Sequence, residues 1–212
     1  SVKEAFRSMI NGTSEFVNQL AIAITTVVFN RSALIFAGEN GVAAVSIIMY
    51  LQFLCIGIYF GFSMGLSTPL GYAYGDGNFS VCRVLEKYAY RFFAIAPIIL
   101  YGCTYLLAPI GVLFFASPGS TVFDIAVSGL RLYGLGFLFS GINIFAAIRM
   151  MTYGKGYISG MITFLRSFAL LLLFLTILPR FLELNGIWLA VPAAEILTLV
   201  VALWTLRKKT VA

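Results

Sequence analysis

Six apolar runs, at roughly residues 9–37, 42–73, 88–115, 121–151, 157–178 and 186–206, constrain this chain more than any other feature. Each reaches the ~20 residues an α-helix needs to cross a bilayer, twice what a membrane β-strand needs. Several exceed that minimum, so tilt or protrusion is expected. The predicted fold is all-α: a polytopic membrane protein whose residues 1–212 form a single six-transmembrane-helix bundle. The connections are short and carry turn chemistry, as in Gly38-Glu39-Asn40-Gly41, Ser117-Pro118-Gly119-Ser120 and Leu184-Asn185-Gly186, leaving no room for a soluble catalytic module. Only 10% of the residues are charged, against ~25% in soluble domains.

The formal net charge of +6 does not point to nucleic acid, because the basic residues sit at the ends of the apolar runs rather than in a cluster. With six spans, Lys3, Arg7, Arg83, Lys87, Arg91, Arg149, Lys155, Arg207, Lys208 and Lys209 fall on one side and Arg31 and Arg180 on the other, ten against two. The positive-inside bias then puts both termini of the multi-pass chain in the cytoplasm; the expected location is the cell (plasma) membrane. The chain has no histidine and three isolated cysteines, Cys55, Cys82 and Cys103, which excludes a His-containing zinc site, a Ser-His-Asp triad and a histidine proton switch. No phosphate-binding or dinucleotide motif is present, so neither an enzyme nor a bound cofactor is expected. The start at Ser1 rather than Met suggests a missing portion upstream.

A polar face marks the first span. Asn11, Asn18 and Thr25 follow a heptad with Ser14 and Glu15 beside them, within an arc of roughly 100°, interrupted by Ile22. Such a face must meet protein or a water-filled cavity, and an intramembrane acid such as Glu15 reads first as functional. In the second span, Gly57, Gly61 and Gly65 read as a close-packing stripe, and Pro69 as packing or as a hinge. In the fourth, Asn143 follows Gly129 and Gly136 at seven-residue steps and becomes a donor to a cavity or a neighbouring helix, while Arg131 either works deep in the span or snorkels outward. Arg166 and Glu195, in consecutive spans, could form a structural ion pair, or Glu195 could join Glu15 in handling protons or sodium. Trp188 suits an interfacial anchor. Residues 76–91 read as a surface amphipathic helix or a solvated helix start. The motif Tyr-Gly-x-Gly recurs at Tyr74 and Tyr153, as two helix caps or two hinges.

The motifs Asn11-Gly12-Thr13-Ser14-Glu15, Gly38-Glu39-Asn40-Gly41, Pro69 with Tyr72-Ala73-Tyr74-Gly75, Gly141-Ile142-Asn143, Gly154-Lys155-Gly156, Arg166, and Gly186-Ile187-Trp188 with Pro192 and Glu195 are in an order that resembles the second half of the multidrug and toxic compound extrusion (MATE) family. The resemblance implies one six-helix lobe of a twelve-helix transporter, whose partner is the missing N-terminal lobe. It also implies antiport of small cationic drugs against H⁺ or Na⁺ by alternating access, with Glu15 as the cation-coupling residue, and as the Na⁺ ligand if coupling is to sodium. Asn11, Asn18, Thr25 and Asn143 would line the cavity. The fourth span departs from the family pattern: it offers Asn143 and no acid beyond Asp124 at its edge. A lipid-linked oligosaccharide flippase of the same superfamily is the alternative, kept open by Arg131 and Arg166.

Overall fold

The computed structural model describes the backbone of residues 2–207 and the side chains of residues 20–207. Asn11, Glu15 and Asn18 therefore lie outside the described residues. The described elements are helical throughout: α1 (Val2–Gly75), α2 (Phe79–Leu113), α3 (Thr121–Tyr133), a 3₁₀ turn (Gly134–Gly136), α4 (Phe137–Thr152), α5 (Gly156–Phe164), a π turn (Leu165–Ala169), α6 (Leu170–Ile177) and α7 (Pro179–Arg207). Among the described residues, five helical stretches are long and apolar enough to cross a membrane. The first is two spans in one, because α1 reverses at Gly38 (φ 59°, ψ −150°), a backbone conformation reserved in practice for glycine. Three residues on, a Cβ at Gly41 would lie 2.6 Å from the Ala33 carbonyl oxygen, so the second arm starts hard against the first.

The turn into the last span uses the same device with a different residue. Glu183 takes φ 49°, ψ −129°, and three residues later Gly186 lies against the Leu178 carbonyl. At the opposite ends, the two Tyr-Gly-x-Gly copies are both glycine caps. Asn78 N–H bonds to Ala73 O at 2.9 Å past Gly77 (φ 70°), and Lys155 N–H to Met150 O at 2.8 Å past Gly154 (φ 73°). The capping glycine occupies a different position of the motif in each copy, yet the copies meet, with the Tyr74 and Tyr153 rings 4.4 Å apart.

The core lies where both arms of α1 pack on α2, α3, α4 and α7, around Phe29, Tyr59, Phe93, Phe137, Phe145 and Trp188. Trp188 is no interfacial anchor: it is 1% exposed, because glycine at position 129 leaves a notch where a Cβ would sit 2.8 Å from the indole. The line of Gly129, Gly136 and Asn143 is the face that meets α7, at Trp188, at Val191 with Pro192, and at Glu195. Among the described residues, nothing lies within 4 Å of where a Cβ would sit at Gly57, Gly61 or Gly65 of the expected stripe. Helix α1 runs through Pro69 to Gly75 with no second break. The charged segment 76–91 is no separate surface helix; from Phe79 it forms the opening turns of α2.

Arg131 has a specific task. Pro109 has no N–H, so the Tyr105 carbonyl one turn earlier loses its helical donor. Arg131 Nε donates to that oxygen at 3.2 Å, with its guanidinium 4.9 Å from the Tyr105 ring centre.

Candidate functional site

A cavity of about 540 Å³ opens between the two arms of α1, the α3–α4 junction, the π turn and α7. That volume is within the ~300–1,000 Å³ range of small-molecule sites. Its walls are largely apolar and aromatic, with Phe29, Phe53, Phe60, Tyr133 and Phe137 among them, and polar groups come from Thr25, Gln52, Ser140 and Ser167. One charged pair, Arg166 and Glu195, lies on its lining.

Arg166 is held there by the backbone. Over Leu165–Ala169 the helix widens to a π turn, in which Leu170 N–H reaches back to Leu165 O. Such turns relax the regular register and are frequent at functional positions. The Ser167 carbonyl lies 3.4 Å from Thr25 Oγ1, a second acceptor for a hydroxyl that already bonds Ala21 O at 2.8 Å. The first span is thereby tied to the π turn.

Arg166 Nη2 donates to Glu195 Oε1 at 2.6 Å, and its Nε lies 3.1 and 3.4 Å from the two carboxylate oxygens. Asn143 Nδ2 completes the set, donating to Glu195 Oε2 at 2.7 Å and to the Glu195 carbonyl at 2.9 Å. That carboxylate is thus held by a guanidinium from one side and an amide from the other, which is what lets a charge persist in an apolar interior. Asn143 is fully buried, one layer behind the cavity rather than on its lining. Its Oδ1 and the nearby Ser140 Oγ are buried without partners among the described residues. Of the residues expected on the cavity, Thr25 reaches it, whereas the side chains of Asn11, Asn18 and the proposed coupling acid Glu15 lie outside the described residues. Gln52 also lines it, with no sequence signal to mark it.

A second buried ion pair, which sequence reading missed, closes the far end of the bundle. Arg149 Nε donates to Glu86 Oε1 at 2.6 Å, and Tyr153 Oη donates to the same oxygen at 2.6 Å. Arg149 is 3% exposed, so it is no surface topology charge like those beside it in the count. Burial, reinforced by the bond to Glu86, pushes the Tyr153 phenol well above its usual range. The signal lay in spacing: Cys82, Glu86, Ala89 and Phe93 fall on one buried face of α2.

A family model, MatE, matches residues 14–178, which contain most of the first arm of α1, all of the second, the Asn143 face and Arg166. The chain belongs to the MatE family. Its members are membrane transporters, in keeping with a MatE fold built of apolar helices around a cavity. No curated protein matches the chain. Among solved structures, the MatE chain is similar to an outward-facing multidrug resistance MATE transporter of the MOP superfamily, at 23% identity and a TM-score of 0.81, covering 92% of this chain and 44% of that one. It is similar to an inward-facing one at 22% identity and a TM-score of 0.82, covering 92% and 45%. A third match, at 22% and 0.81 with 92% and 44% covered, is a MOP-superfamily transporter from Pyrococcus furiosus Vc1 whose binding pocket is described as having reverse polarity. The MatE chain thus spans less than half the length of each transporter it matches.

Proposed function

We propose that this chain is the C-terminal six-helix half of a twelve-helix transporter that exports small cationic amphipathic compounds in exchange for H⁺ or Na⁺ by alternating access. The observation that carries the reading is the cavity itself: a site of about 540 Å³ with aromatic walls and ionisable groups, set between spans of one bundle. The bundle resembles half of an outward-facing and half of an inward-facing transporter equally well. That suits a body that moves as a unit while the cavity changes sides. The transporter lies in the plasma membrane with both ends of this half in the cytoplasm.

Glu195 is already neutralised by Arg166. The proposed coupling acid in this half is Glu15, as the family resemblance implies, binding H⁺ or Na⁺ in turn with the drug, while Arg166, Glu195 and Asn143 hold the cavity wall in place. Pro69 is the proposed hinge: its missing N–H weakens an otherwise unbroken stretch of α1. Arg131 and Arg166 do not favour a flippase, since each already serves a protein oxygen and neither is free for a lipid-linked phosphate. The test is efflux of cationic dyes by the full-length protein under imposed proton and sodium gradients. Glu15→Gln should abolish gradient-driven efflux while leaving membrane insertion intact; wild-type efflux in that variant would refute the assignment.

A further inference from the structure

We propose that the charged end of α2 is a docking surface for an anionic phospholipid, with Arg83, Lys87 and Arg91 receiving the headgroup phosphate. Helix α2 has 35 residues, about 52 Å at 1.5 Å per residue, against a hydrocarbon core of ~30 Å. From Phe92 to Leu113 it carries no charge, and those 22 residues alone span about 33 Å. The excess therefore lies at the Phe79–Arg91 end, in the headgroup layer.

At that end Arg83, Lys87 and Arg91 recur every four residues, so they form one exposed stripe about 12 Å long. None of the three forms an ion pair among the described residues. The acid that the sequence sets among them, Glu86, is turned inward and consumed by Arg149 and Tyr153. Asp76 sits in the turn before the helix, seven residues ahead of Arg83. Among the described residues the exposed face of these turns is consequently cationic, not mixed.

The face continues downward into apolar surface. Below Arg91 the outward positions are Ala94, Ile95, Ile98 and Ile99, with the three isoleucines exposed, and Tyr88 flanks the basic stripe. A free anion would use the charges alone. A phospholipid uses both halves, its phosphate on the stripe and an acyl chain along the isoleucines, and this continuity assigns the surface to a lipid.

The test uses the full-length protein, delipidated in detergent, with binding of phosphatidylglycerol, phosphatidylcholine and inorganic phosphate measured by native mass spectrometry and by the rise in Tm. Phosphatidylglycerol should bind and raise Tm, and phosphatidylcholine and inorganic phosphate should do neither. The variant Arg83→Gln/Lys87→Gln/Arg91→Gln should bind phosphatidylglycerol about a hundredfold more weakly, at roughly fivefold per charge. Arg83→Lys/Arg91→Lys, which keeps the charges, should bind like the wild type. Should the triple variant not fold, Lys87→Gln alone is expected to show the single fivefold loss. Unchanged phosphatidylglycerol binding in the Gln variants overturns the proposal, and so does an equal Tm rise with phosphatidylcholine or with inorganic phosphate.

Discussion

Replacing Glu195 by Gln removes a negative charge while keeping an oxygen for Asn143 Nδ2, so it isolates what Arg166 loses. At the roughly 4 Å between charge centres in such a contact, an effective dielectric of about 20 gives ~4 kcal/mol of attraction. Removing one partner of a buried pair costs about 3–5 kcal/mol, because the other charge is stranded. The Arg166 side chain is 13% exposed on the cavity, so water offsets part of this. A loss of about 2–3 kcal/mol is therefore expected for Glu195→Gln, and a similar loss for Arg166→Met. In Arg166→Met/Glu195→Gln no charge is stranded, and the loss should fall well short of the sum, by about 2 kcal/mol of coupling. The measurement is a double-mutant cycle on the full-length transporter, unfolded with SDS in mixed micelles. Strictly additive losses would refute the claim that the two charges sustain one another.

Two further perturbations follow from the backbone. Glu183 holds a conformation that side chains rarely adopt, at a cost of order 1–3 kcal/mol, so Glu183→Gly should raise stability by about 1 kcal/mol in the same unfolding assay, despite the freer unfolded chain. If Arg131 replaces the hydrogen bond that Pro109 removes, Arg131→Gln should be destabilising by about 1–2 kcal/mol. In a Pro109→Ala background the restored N–H satisfies Tyr105, and the same substitution should cost clearly less.

Much of the fold was legible because a bilayer makes hydropathy and length nearly sufficient: each expected span has a helical counterpart, and the turn at Gly38 falls in the expected Gly38–Gly41 breaker. The Arg166 and Glu195 contact was readable for the same reason, since two opposite charges in adjoining apolar runs have few other partners. Reading failed where face mattered more than composition. Glu86 looked like one charge in a mixed surface segment until helical spacing put it beside Cys82 and Ala89 on the buried side. By composition Trp188 suits the interface, where aromatic anchors are common, whereas the notch at Gly129, which is a three-dimensional fact, draws it inside. The π turn at Leu165–Ala169 leaves no mark in a hydropathy pattern at all.

That π turn also bears on how this span tolerates changes in length. A helix with one such turn holds one residue more than α geometry requires, so losing a residue between 165 and 169 would restore the regular repeat without dragging the flanking turns around the axis. Elsewhere in these spans a one-residue deletion rotates everything beyond it by about 100° and turns lipid-facing groups inward. Here the bundle would keep its outline, and what would be lost is the local widening that brings a guanidinium to the cavity. The span thus carries its ion-pairing arginine on a segment whose length can change independently of the scaffold.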